Sequence, residues 1–193
     1  MKKQSSETRQ HILSVARALM TRKGYASVGL AEVLAEAGVP KGSFYHYFKS
    51  KDDFGQALLE QYMSDYLATL DTLLIGTVPA AERLLDYFSY WASTQCSNLP
   101  TDKCLVVKLG AEVCDLSEGM RLTLDKGTIA VCAKIERCIE EGKADGSITS
   151  SATPKELAEL LYQMWLGASL MMKIGKRESA FENSMNMAKK LLA

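Results

Sequence analysis

Apolar residues recur every three or four positions along nearly the whole chain, the spacing of helices that bury one face. In "ETRQHILSVARALMTRKG" the stripe is Ile12, Val15, Ala16 and Leu19, and Gly24 ends the run. A shorter helix fits "GLAEVLAEAG", where Leu30, Val33, Leu34 and Ala37 share a face and Gly38 can close the last turn. Ser50 followed by Asp53 gives a start like a capping box for a long amphipathic helix carrying Phe54, Leu58, Tyr62 and Tyr66. After the break at "GTVPAAE", helices fit 79–97, 102–115 and 117–143, the last opened by Ser117 and closed near Gly142 and Gly146. "KADGSITSSATP" reads as a loop, and Thr153-Pro154-Lys155-Glu156 combines a capping box with a proline at the first helical position. No β-hairpin signal, repeat or low-complexity tract interrupts the pattern. The expected fold is all-α: a head of three short helices, residues 1–51, on a larger helical body, residues 52–193.

The pattern breaks most sharply in "AGVPKGSFYHYFKSKDDF", residues 37–54. Helix, glycine-bearing turn and second short helix make the order of a helix-turn-helix. Pro40 stops the earlier helix and can begin the next. Phe44 and Phe48 are four residues apart and can face inward, which distributes Ser43, Tyr45, His46 and Tyr47 over the more exposed sides. Gly42 has no side chain, so backbone there can approach a sugar–phosphate strand closely. Lys41 and Lys51 flank the helix and can pair with phosphates. Each residue alone has an ordinary surface explanation; in this order after a turn they point to duplex DNA.

Charge sharpens that reading. The 193-residue chain is formally neutral, yet residues 1–51, Lys2 and Lys3 included, carry nine Lys/Arg against three Glu, a net +6. The remainder carries 14 Lys/Arg against 20 Asp/Glu, a net −6. A basic end on an acidic body suits a polyanion partner at one end only. The five cysteines are odd in number and lack a CxxC pair, so neither a disulfide framework nor a zinc knuckle is indicated. The polar, arginine-interrupted N-terminus does not read as a signal peptide, and no apolar run approaches the length of a membrane span. Thiols in a reducing cytoplasm are expected.

"GYASVGLAEVLAEAGVPKGSFYHYFKSKDDF" resembles the DNA-binding segment of the TetR family of transcriptional regulators, over roughly residues 8–60. The resemblance implies a homodimer that places each third helix in a DNA major groove, with a helical C-terminal domain for dimerisation and effector binding. By position it assigns Lys41, Gly42, Ser43, Tyr45, His46 and Lys51 to DNA contact. One departure stands out: Gly29 occupies the start of the second helix, where the family usually has Ser or Thr. Glycine is a weaker N-cap and supplies no hydroxyl for a phosphate.

In the body, "TDKCLVVKLGAEVCDLSEGMR" sets Cys104 near a helix start, with Thr101 or Asp102 as cap, after Lys103 and four residues before Lys108. Helix dipole and ammonium groups favour a thiolate there. The competing reading of Cys104 is an inert buried helix cysteine. Cys114 is followed by Asp115 late in the helix, and Cys132 and Cys138 read as small core or interface residues. The same stretch, with "MWLGASLMMKI" at 164–174, resembles electrophile-sensing members of the same family. That resemblance implies that Cys104 is the sensing thiol and that Lys173 is placed to abut it; snorkelling to solvent is the alternative for Lys173. It also implies that "ELLYQMWLGASLMMKIG", residues 159–175, packs with the 117–143 helix and their symmetry mates as a four-helix dimer interface.

The expected function is a homodimeric DNA-binding repressor, with no cofactor or metal, released when Cys104 is modified by an electrophile or oxidant. A regulator released by reversible binding of a small hydrophobic effector is the alternative. A cysteine enzyme has little to build on, because His11 and His46 are the only histidines, both in the basic head, and no phosphate loop or metal-ligand cluster is present.

Overall fold

The computed structural model describes residues 2–193, with side chains from residue 7 onward; the side chains of Lys2 and Lys3, counted in the basic head, lie outside the described residues. Among the described residues there is no strand, as the all-α expectation requires. The helices run α1 (Lys2–Lys23), α2 (Leu30–Ala37), α3 (Lys41–Tyr47), α4 (Lys51–Leu74), α5 (Ala80–Cys96), α6 (Leu105–Leu116), α7 (Glu118–Asp145), α8 (Pro154–Gly175) and α9 (Ser179–Leu192). A 3-10 turn, Pro100–Asp102, precedes α6. No helix among the described residues is long and apolar enough to cross a membrane.

Local chemistry sets most of the helix ends. Gly38 has a φ of 63°; its N–H donates to the Ala35 carbonyl at 3.2 Å while the Val39 N–H donates to Leu34 at 3.0 Å. This is the Schellman closure of a helix, which needs a left-handed residue. At the start of α4, Ser50 Oγ accepts from the Asp53 N–H at 3.0 Å, and the Asp53 carboxylate accepts from the Lys49 N–H at 2.8 Å. Thr153 and Glu156 form the full capping box on α8, with Pro154 in the first turn.

Three expected boundaries are corrected. α1 has 22 residues and is not short, because its polar N-terminal turns continue the helix without adding to the apolar stripe. The helix expected at 102–115 begins at Leu105: Pro100 starts a separate 3-10 turn, and Lys103 and Cys104 are extended. α7 continues to Asp145, into the expected loop, and stops at Gly146 with a φ of 77°.

The chain divides into two compact units, residues 1–64 with 99–125, and residues 65–98 with 126–193. In the first unit, Ile12, Ala16 and Met20 of α1, Val33 and Leu34 of α2, Phe54 and Leu58 of α4, and Leu105, Leu109 and Val113 of α6 form one core. Phe44 of α3 and Phe48, its C-cap, join it through Phe54, with ring centroids 4.9–5.3 Å apart. His11 Nε2 donates to the Ala37 carbonyl at 3.1 Å, tying α1 to the end of α2.

The second unit is built on α5, α8 and α9 around aromatic rings. Trp165 stacks on Phe88 at 4.7 Å and on Phe181 at 5.6 Å. The Trp91 indole donates to Ser169 Oγ at 2.9 Å, and Tyr66 and Tyr87 pair their hydroxyls at 2.6 Å. The buried Arg83 donates to the Leu74 carbonyl, to Val78 at 3.0 Å and to Glu141 at 2.8 Å. It thereby caps the C-terminal end of α4 and holds the Glu141 carboxyl below its usual range. α8 buries Leu157, Leu161, Trp165 and Ala168, whereas Leu160, Gly167, Leu170, Met171 and Ile174 are exposed.

The capping box gives a direct test. Thr153→Ala removes the side chain that accepts from Glu156 and is expected to cost about 1 kcal/mol. At fixed protein concentration this lowers Tm by roughly 2–4 °C. An unchanged Tm would mean that Pro154 alone sets the start of α8.

Candidate nucleic-acid interface and buried thiol

α3 has only seven residues, and its two faces have different partners. Phe44 and Phe48 are 0% and 1% exposed. Lys41, Gly42, Tyr45 and His46 are exposed and Ser43 and Tyr47 half-exposed, with Tyr45 at 56%. A Cβ added at Gly42 would meet nothing within 4 Å. The chain's own packing therefore does not demand glycine there. Lys51, exposed at the first position of α4, holds its ammonium 5.0 Å from the Tyr25 ring centre. The residues expected to touch DNA are thus gathered on α3 and the start of α4. Gly29 is the N-cap of α2 and makes no side-chain cap.

Tyr25, behind this surface, donates from its hydroxyl to the Lys51 carbonyl at 2.9 Å. Burial, reinforced by the charges of Asp52 and Glu112, pushes its pKa up to about 12. The phenol stays protonated and remains a donor. Its backbone N–H donates to Glu112 Oε2 at 3.0 Å, and the next N–H, of Ala26, donates to Oε1 at 2.7 Å.

Cys104 is the N-cap of α6 and is 8% exposed. The expectation of a thiolate is not met in this conformation: burial pushes the thiol up, against the lowering effect of hydrogen bonds from the Val107 N–H, the Tyr62 side chain and the Val106 N–H. The helix start acts as anticipated, but desolvation is larger. The Lys108 ammonium lies 3.4 Å from the Arg22 carbonyl. Cys138 is also raised, to about 11, chiefly by burial, and lies 3.5 Å from the Ala80 carbonyl. Cys132 is raised by burial and then by Glu159 and Glu136. None of the five cysteines is in a disulfide.

Lys173 is exposed on α8, in the compact unit that does not contain Cys104. In that same unit an open groove of about 400 Å³ runs along α7 and α8, lined by residues including Ile129, Cys132, Tyr162 and Leu166. Among the described residues no three His, Cys, Asp or Glu side chains converge to hold a metal ion. Sequence reasoning passed over Tyr62 as a donor to Cys104 and Glu112 as a backbone acceptor. Tyr62 carries the helical spacing of a core residue, and Glu112 looks like any surface acid.

Comparison with known proteins places this geometry. Residues 12–58 match the family described as bacterial regulatory proteins, tetR family, and residues 80–188 match the tetracyclin repressor-like C-terminal domain. The HTH-type transcriptional repressor NemR of Escherichia coli K12 is 40% identical over 97% of this chain and 94% of its own. The repressor DhaR of Mycobacterium sp. strain GP1 is 33% identical over 90% of this chain and 86% of its own. The crystal structure of reduced E. coli NemR superposes with a TM-score of 0.92 at 40% identity, covering 97% of each chain. With both parts of the chain matched and a relative alike along nearly its full length, this protein belongs to the TetR family of bacterial regulators.

Proposed function

We propose that this chain is a cytoplasmic, homodimeric transcriptional repressor that leaves its operator when Cys104 is modified by an electrophile or oxidant. The observation that carries the DNA reading is α3. Its phenylalanines anchor it, and its remaining faces present Lys41, Gly42, Ser43, Tyr45 and His46 outward, with Lys51 beside them. Lys41 and Lys51 take phosphates, Gly42 admits the strand, and Ser43, Tyr45 and His46 face the groove. The division into a reading head, residues 1–51, and a body, residues 52–193, follows from these roles. Leu160, Leu170, Met171 and Ile174, at helical spacing on the exposed face of α8, support dimerisation there. Two reading helices then engage half-sites about 34–36 Å apart, or a multiple of that.

Three donors converging on the Cys104 sulfur, together with the likeness to NemR, support the sensing role. Lys173 joins Cys104 in the sensing pair on the strength of that likeness. With a maleimide, the sulfur adds across the carbon–carbon double bond, the thiol proton ends on the neighbouring carbon, and nothing leaves. The adduct adds bulk where only 8% of the residue is exposed, so the surroundings must yield.

Mobility assays with DNA from the protein's own upstream region test the reading. Lys51→Ala is expected to weaken binding to all sequences and to reduce the slope of log K against log salt by about 0.9 for each phosphate no longer neutralised. An unchanged slope removes Lys51 from the interface. Cys104→Ser is expected to keep its DNA at maleimide concentrations that release the parent; equal release by both would refute thiol sensing. Because burial holds the Cys104 thiol protonated, its alkylation rate is expected to keep rising with pH above about pH 9. An ordinary thiol, with a pKa of about 8.5, levels off there. Peptide mass mapping from about pH 7 to about pH 10 reads this, and a plateau below about pH 8 would show that the thiol is ionised after all.

A further inference from the structure

We propose that Glu112 is the positioning residue through which α6 holds the DNA-reading head, and hence the residue that conveys the state of Cys104 to it. This rests on the thiol-sensing reading above. Glu112 stands on the helix that Cys104 caps, eight residues further on, or about 12 Å along the axis at 1.5 Å per residue. Its two carboxylate oxygens are committed to two successive backbone N–H groups, Tyr25 at 3.0 Å and Ala26 at 2.7 Å. Those residues form the turn between α1 and α2. The fit is close: Gly24 has a φ of +93°, and a Cβ there would lie 3.2 Å from Glu112 Oε2.

Tyr25 carries the grip onward. Its hydroxyl donates to the Lys51 carbonyl at 2.9 Å and its ring lies beneath the Lys51 ammonium. A Cβ at Gly55 would sit 2.7 Å from that hydroxyl, so the phenol packs against α4 at a point where only glycine leaves room. One carboxylate therefore fixes the entry to α2 directly and the exit from α3 through a single side chain. The helix-turn-helix lies between these two points.

The sulfur end of the segment meets α1 separately. Arg17 donates to the Thr101 carbonyl at 2.8 Å and lies 5.0 Å from the centre of the Tyr62 ring, whose side chain hydrogen-bonds the Cys104 sulfur. An adduct on Cys104 has to displace Tyr62 or the first turn of α6. Movement of that first turn changes where α6 holds the α1–α2 turn, and Glu112 is the residue that transmits it.

The readout is a coupling factor, the ratio of DNA affinity before and after complete alkylation of Cys104 by N-ethylmaleimide, with completeness checked by mass. The same treatment of Cys104→Ser subtracts the effect of the other thiols. Weakening of the head lowers both affinities and leaves the ratio alone, whereas removal of a coupling residue lowers the ratio. Glu112→Gln keeps the side-chain shape but only one acceptor oxygen. The parent ratio is expected to be at least about tenfold, and that of Glu112→Gln below about threefold. A parent that responds while Glu112→Gln responds equally overturns the role of Glu112 and leaves thiol sensing intact. A parent that does not respond when fully alkylated refutes thiol sensing and this inference with it. Should Glu112→Gln fail to fold, Glu112→Asp keeps the charge but shortens the reach to the Tyr25 and Ala26 N–H groups, and an unreduced ratio there overturns the proposal.

Discussion

A helix of seven residues has no independent stability in water, since nucleation alone outweighs so few hydrogen bonds. α3 exists because Phe44 and Phe48 are buried against Phe54, and each buried aromatic contributes about 1.5–3 kcal/mol. Because the internal face is secured by rings, Lys41, Tyr45 and His46 remain exposed on the other sides of the helix. The orientation of α3 is thus specified by apolar residues, and its exposed side chains occupy a surface the phenylalanines have already oriented.

Opposing effects also meet at Cys104. A helix N-terminus gives the sulfur two backbone donors and Tyr62 a third, yet burial outweighs them and the thiol remains protonated. An accessible thiolate would react with any passing oxidant. A protonated thiol at 8% exposure is guarded both by its protonation and by its surroundings. The Arg17, Tyr62 and Thr101 contacts tie those surroundings to α1 as well as α6.

Features set by near neighbours in the chain are legible from the residues alone. The four-residue spacing of Phe44 and Phe48, the left-handed Gly38 and the Thr153–Glu156 box depend on residues within a turn or two of each other. What stays hidden depends on distant partners. Cys104 lies near a helix start in the sequence, but it is buried, and its hydrogen-bond partner Tyr62 stands 42 positions earlier. The Glu112 clamp joins residues 86 and 87 apart, and no periodicity records such a pairing. α6 starts later than the spacing predicts because Pro100 serves a 3-10 turn as readily as an α-helix.

The aromatic stack of α5, α8 and α9 has a practical corollary. Trp91 and Trp165 are the only tryptophans in the chain, and both lie within that stack. The head has tyrosines but no indole, so ultraviolet emission excited at long wavelength originates wholly in the body. Fluorescence melting curves therefore follow one compact unit and are blind to loosening of the DNA-reading helices, which only amide-based spectroscopy or a label placed on the head can register.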